Sequence, residues 1–519
     1  MQYKQLDIFK NAIYLLTALS LIVQISLYKN FNDIFCILII FISNIITIYY
    51  CLNKKYFFYF PISLMVIFIS HFINLGGALY LKTVELSLLT NSLQYPLSTI
   101  SNLFFVNIIL IFAHSIYKKN INFLNLSLKI RNLLKKYKFY DYTNINFFYF
   151  LAFIAILSKF SYFDFSSTLQ EQTLRNQPLY RDLLAGFRFF IFLPVILVFF
   201  KYLTKTENNF KINNFFIFFF YGVIFLYSLS INNRSLFFDS LLLLILIFLL
   251  LFFLDLIIIK KLSFKIFILI ILIFPSINFI EKISTNFLIE RTLYKDRTIP
   301  ENIKSFGAIL FSNKNQENYI KNLDYLNSLN YWNENYYSNS ALNRINILLI
   351  HDNFNNIGKN ISQKKIENLK NVQLNKLLTI FPQPIIDIFN NKYDKTFYNS
   401  FSTASYLYGD VVLGETTGRL KVGSALFILK IIFGNMYFLI ILIFFIPFFI
   451  LFDSFYNSEN KSFSPYIILL FYSTSLGLFN FVAAPDISTA FHFIFRALPE
   501  VLFFTLISRF IFEKFFKNS

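Results

Sequence analysis

The feature that most restricts this chain is a succession of long apolar runs parted by short polar breaks. Each run is about 18 to 25 residues, the length a helix rising 1.5 Å per residue needs to cross about 30 Å of hydrocarbon. Inside that layer no water is available to the backbone, so each run must satisfy its own N–H and C=O groups as a helix. The chain is therefore expected to be an all-α integral membrane protein. Composition agrees: 56% of residues are hydrophobic, 21% aromatic and only 14% charged, whereas soluble domains carry about a quarter charged residues.

About twelve spans are expected by this length criterion. Nine precede a long polar stretch: Ile8–Leu27, Ile34–Leu52, Tyr56–Leu75, Pro96–Tyr117, Ile145–Tyr162, Leu183–Tyr202, Asn213–Ser230, Leu236–Ile259 and Phe264–Ile280. Three follow it: Phe427–Phe452, Pro465–Val482 and His492–Phe512, with an interfacial half-turn expected before the first of these. The organisation is thus 1–281 for spans one to nine, 282–422 for a polar external cap, and 423–519 for spans ten to twelve. The first run follows Lys4 and Lys10 and lacks a small-residue cleavage site, so it reads as a retained helix. Cys36 and Cys51 fall near opposite ends of one span and offer no disulfide framework.

The formal charge of +19 does not imply a nucleic-acid partner here, because Lys and Arg of membrane proteins gather at headgroups and in cytoplasmic loops. Lys118, Lys119, Lys129, Arg131, Lys135, Lys136 and Lys138 mark the loop after the fourth span as cytoplasmic. Counting from it places both termini inside, and the loops at 164–182, 231–235, 282–421 and 483–491 outside. The outer polar segment has helical patterning: Ile366, Leu369, Val372, Leu377 and Ile380 recur at helix-like intervals, as do Ile320, Leu323, Leu326 and Leu329. Phe381-Pro382-Gln383-Pro384 interrupts the pattern, since proline cannot continue a helix.

Ionisable groups that fall on the outer side are the candidates for chemistry. Arg175, Arg181 and Arg188 crowd one loop with Gly186 between them; guanidinium groups match phosphate oxygens as planar two-pronged donors. The bland reading is that they reach up to lipid headgroups. Arg234 occupies a short turn before an apolar helix, either paired with Asp239 or bound to a diphosphate. The late segment adds Arg291, Arg297, Arg344 and His351, the last expected to be a solvated loop residue unless it serves as a base. A glycine-rich run holds Asp410, Glu415 and Arg419, in which either acid could accept a proton beside an anion. His492, Arg496 and Glu500 are spaced to share a helix face near the outer boundary, as a site or as a lock between helices. There is no glycine-rich nucleotide loop, HExxH or paired-cysteine spacing, so no nucleotide, metal or other cofactor is expected.

Many spans, a large external loop between late spans and Arg175-x10-Gly186 in an earlier one resemble the Wzy-type O-antigen and capsule repeat-unit polymerases. Arg297-x9-Gly307 in the late loop is one residue shorter than that pair, and Asn232-Asn233-Arg234-Ser235 is similar to the short turn of these enzymes and of O-antigen ligases. The resemblance implies a glycosyltransferase of the inner membrane. Its substrates would be undecaprenyl-diphosphate-linked glycans, its surroundings membrane lipids, and a chain-length regulator a possible partner. Arg175, Arg181, Arg234, Arg419, Arg297 and Arg496 would hold the diphosphate, and Glu415, Asp410 or His351 would take the proton. An O-antigen ligase is the neighbouring alternative. A lipid-linked oligosaccharide flippase is the alternative of another class, and it would need charges along a central cavity.

Overall fold

The computed structural model describes residues 4–140, 145–160, 186–204, 214–230, 235–257, 336–339, 342–381, 383–389, 393–409, 423–467 and 487–516, with isolated positions at 184, 301, 304, 305 and 469. Those residues are almost wholly helical; among them the only sheet is a two-stranded pairing of Tyr456–Asn457 with Ser462–Phe463. Six helices are long and apolar enough to cross a membrane: Gln5–Ser26, Phe31–Cys51, Pro61–Val84, Pro96–Lys119, Gly186–Leu203 and Ala425–Ser454. Three shorter apolar helices are Ile145–Ser158, Phe215–Ser228 and Asp239–Phe253. The expected spans at 264–280 and at 465–482, save a few residues of the latter, lie outside the described residues.

Two compact units are formed. The first comprises Met1–Phe139, Ile345–Ser462 and Leu469–Glu500; the second comprises Tyr140–Arg344, Phe463–Ile468 and Val501–Ser519. In the first, the Pro96–Lys119 helix packs along both Phe31–Cys51 and Tyr437–Ser454. The amphipathic helix Ile121–Lys136 lies against Tyr437–Ser454, burying Ser127, Arg131 and Leu134. In the second, Ile145–Phe160, Leu193–Thr204 and Ser235–Phe253 pack around Phe148, Phe190, Phe200 and Leu250. Outward faces are as apolar as the cores: Leu15, Leu16, Leu19, Ile22, Phe215 and Phe218 are exposed. That pattern suits lipid, where apolar surface gains nothing by burial and helices associate through close packing and polar contacts.

Helix ends follow local chemistry. Asn30 and Asp33 form a reciprocal capping box at the start of Phe31–Cys51. Proline occupies the first turn of both Pro61–Val84 and Pro96–Lys119, where its missing N–H has no helical acceptor to lose. The expected third span therefore shifts from Tyr56–Leu75 to Pro61–Val84, with Lys54–Tyr59 forming a separate short helix. Both cysteines are buried and free on the Phe31–Cys51 helix.

Several of the helices are broken. Pro61–Val84 contains a π-turn at Phe72–Gly76, and residues 488–516 contain another at Phe493–Ala497. Ala425–Ser454 is interrupted by a 3-10 turn at Gly434–Met436, where Gly434 adopts φ +56°. A left-handed residue of this kind favours glycine because it lacks a Cβ. The interruption parts the short helix Ala425–Phe433 from Tyr437–Ser454. π-turns inside helices concentrate at functional positions.

Candidate functional site

The late polar segment is fixed to the spans by buried polar contacts, and these begin at the π-turn of Pro61–Val84. The π-turn loosens the helical ladder there, and its carbonyls accept from outside the helix. Asn346 Nδ2 donates to the Phe72 carbonyl at 3.2 Å, and Ile347 N donates to the Ile73 carbonyl at 3.1 Å. The helix Leu348–Asn360 starts at that joint and buries Leu348 to Asn355 almost completely.

His351 lies one turn along this helix and is fully buried, not solvated as expected from sequence. Its Nε2 meets Asn74 Oδ1 at 2.9 Å, so that nitrogen carries the proton, while Nδ1 accepts from the Ser424 hydroxyl at 2.8 Å. Burial pushes its basicity down to a pKa of about 3. With both nitrogens engaged, His351 ties the segment to two broken helices at once.

Its neighbour Asp352 faces the Pro96–Lys119 helix. That helix has no side-chain cap of its own at Tyr95. Asp352 supplies one from a distance, accepting from Gln94 N at 2.5 Å, Tyr95 N at 3.1 Å and Thr99 Oγ1 at 2.6 Å. A carboxylate is favoured there by both the unpaired N–H groups and the helix dipole. Asn355 adds bonds from Nδ2 to Ser98 and Thr99, and Lys359 lies 3.4 Å over the Tyr95 ring.

The next helix, Gln363–Leu378, is the one its periodicity predicts, with Leu369 and Val372 inward. It ends before Pro382, and Gln383–Phe389 begins anew. Lys376 turns its ammonium onto the carbonyls of Tyr398 and Phe401 and the ring of Phe401. That contact fixes the short helix Lys395–Asn399.

Lys395 is thereby placed within electrostatic reach of Arg496 and Glu500, while its ammonium donates to the Phe381 carbonyl at 2.6 Å. Burial and the like charge of Arg496 hold Lys395 below the ordinary lysine range; Glu500 acts in the opposite direction. Arg496 Nε donates to Glu500 Oε1 at 2.8 Å across one turn. Their side chains remain about a third exposed, 34% and 26%. Two cations and one carboxylate, half open to their surroundings, make an arrangement suited to an anion with several oxygens. The π-turn Phe493–Ala497 follows His492 and contains Arg496.

In the second unit, Gly186 opens the apolar helix Gly186–Leu203, and the space beside it holds the Phe504 ring: a Cβ there would come within 1.9 Å of that ring. Arg188 lies over the Phe189 ring at 4.8 Å. Arg175, Arg181, Arg234, Arg297, Arg419, Asp410 and Glu415 lie outside the described residues. Sequence reasoning missed Asp352 and Lys395: neither has a motif around it, and each gains its role from contacts across the fold.

Comparison of the chain with protein-family models, with curated proteins and with solved structures gives no match.

Proposed function

We propose that this chain is a membrane glycosyltransferase that joins oligosaccharide repeat units carried on undecaprenyl diphosphate. We place the reaction at the periplasmic face of a bacterial inner membrane, with both termini cytoplasmic, in the making of O-antigen or capsule. The observation that carries the reading is that Lys395, on a polar segment anchored in the spans, lies within electrostatic reach of Arg496 and Glu500. In such a transfer, the bond between the anomeric carbon and the diphosphate oxygen breaks. The acceptor hydroxyl bonds to that carbon and gives up its proton, and lipid diphosphate leaves with its negative charge increased. Lys395 and Arg496 would offset that charge, with Arg175, Arg181, Arg234, Arg297 and Arg419 as companions. Because His351 is fully buried, Glu415 or Asp410 is the acceptor of the sugar hydroxyl's proton in this reading.

Removal of the gene tests the proposal. A polymerase loss leaves single repeat units on the final acceptor, a ligase loss leaves none, and an unchanged polymer overturns both. A second reading is a flippase for the same lipid-linked glycan, and the breaks at Phe72–Gly76, Gly434–Met436 and Phe493–Ala497 favour it, because discontinuous helices commonly build transport sites. Under that reading, purified protein moves labelled lipid-linked glycan across vesicles without forming new glycosidic bonds.

A further inference from the structure

Three of the chain's four histidines, His71, His114 and His351, are buried in the first unit, as is the carboxyl group of Asp453. The glycan chemistry uses none of the groups below His351. Polar and ionisable side chains inside membrane helices are expensive, and chains of them mark ion or proton pathways. We propose that these groups line a proton-conducting path through the first unit, from Asp453 at one end of the spans to His351, in the polar segment, at the other.

Hydrogen bonds join the groups within four stations, and closeness along a helix carries the row from one station to the next. Asp453 Oδ2 accepts from Ser63 Oγ at 2.7 Å, and Ser63 Oγ lies 3.0 Å from His114 Nε2. The other ring nitrogen of His114 lies 2.9 Å from the Tyr50 hydroxyl. One turn back along the same helix, Thr47 Oγ1 accepts from Asn107 Nδ2 at 2.7 Å, and Ser43 Oγ accepts from it at 3.3 Å. Next to Ser43, Asn44 Oδ1 lies 2.7 Å from His71 Nε2. Beside His71, Ser70 Oγ accepts from Asn74 Nδ2 at 3.2 Å, and Asn74 Oδ1 meets His351 at 2.9 Å. Among the described residues, the charged and titratable groups around this row include Arg131, which donates to the Asp453 carbonyl, Tyr117 beside Asp453, Lys118 near His114, Cys51 and Tyr56 near Tyr50, and Asp352 beside His351.

Two atoms in the middle of the row, His71 Nδ1 and Asn107 Oδ1, are buried without a hydrogen-bond partner among the described residues. Each is a place where a water molecule joins the row, since buried polar atoms are normally satisfied. Ser63 and His71 are eight residues apart on one helix, about 12 Å, so water and hydroxyl groups must carry the proton between stations. An imidazole that takes a proton at one nitrogen and releases another from the second stays neutral; the amides of Asn44, Asn74 and Asn107 orient the row without carrying the proton, which passes them on water and hydroxyl groups. The competing role for these groups is to hold helices together.

The path does not rest on the glycan chemistry, and its test contains no glycan. Full-length protein is placed in phosphatidylethanolamine–phosphatidylglycerol vesicles enclosing a pH-sensitive dye, and a potassium gradient with valinomycin sets the inside negative. Wild-type vesicles should acidify faster than protein-free vesicles, with the excess rate lost in His71→Gln and His114→Gln. Phe218→Ala, an exposed side chain of the second unit, should keep the full rate. Wild-type vesicles that acidify no faster than empty ones overturn the proposal, and that arm stands even if a variant does not fold. Folded His71→Gln and His114→Gln proteins that conduct as wild type overturn it as well.

Discussion

Asp352 accepts a hydrogen bond from the backbone N–H of Tyr95 at 3.1 Å, so a residue late in the chain caps a helix that begins at Pro96. The described residues of the polar segment from Ile345 onward are thus part of the folded body of the first unit. Its position depends on a few buried contacts, each of which can be removed singly.

Asp352→Ala should lower the melting temperature of the purified protein. Loss of a helix N-cap costs about 0.5–2 kcal/mol, and the stranded Gln94 and Tyr95 N–H groups add a further penalty of about 1–3 kcal/mol if left unpaired. Asp352→Asn, which keeps an acceptor, should lose less. Equal melting of all three proteins would show that the cap contributes nothing.

Gly76→Ala should destabilise the fold by about 1–3 kcal/mol, the usual range for forcing extra volume into a packed interior. The new methyl would strike the His71–Asn44 pair. Gly222→Ala is the internal control: that glycine lies within Asn214–Ser230 with nothing within 4 Å of a new Cβ, so it should be neutral or slightly stabilising. Thermal denaturation of the two variants in one detergent decides the matter.

His351 gives a pH dependence with a definite sign. The folded state holds its pKa near 3, below the value of about 6.5 expected when unfolded. Between those values the unfolded chain binds the extra proton, so the contribution is full above about pH 6.5 and is lost as pH falls towards 3, by up to about 1.4 kcal/mol per pH unit. A histidine-free side chain removes this slope. The fall in melting temperature from neutral pH to pH 4.5 should therefore be smaller for His351→Gln than for wild type.

For the glycan chemistry, Arg496→Ala should shorten the polymer and Arg496→Lys should restore part of it, since a lysine keeps the charge but not the two-pronged geometry. Lys395→Ala should act in the same direction. Arg175→Ala and Arg234→Ala should abolish polymer while the protein still inserts. Gel profiles of surface polysaccharide, with immunoblots of the membrane fraction, check each case.

Much of the architecture is legible in the sequence. The expected spans Ile8–Leu27, Ile34–Leu52 and Pro96–Tyr117 overlie helices Lys4–Ser26, Phe31–Cys51 and Pro96–Lys119, because helices in lipid must be long, continuous and apolar. The third span is displaced because hydropathy declines after Gly76-Gly77 although the helix runs on to Val84. The π-turns carry no signal of their own in composition. His351 looks solvated from its polar neighbours, yet Asn74 and Ser424, remote in sequence, enclose it. Asp352 and Asp453 are legible only once the helices they join are side by side.

The most direct measurement is made with purified protein in vesicles, supplied with a lipid-linked repeat unit and no nucleotide or metal. The account predicts a ladder of glycans growing by one repeat unit per step, with lipid diphosphate released in equal number. A correctly inserted protein that leaves the repeat units unjoined would contradict it.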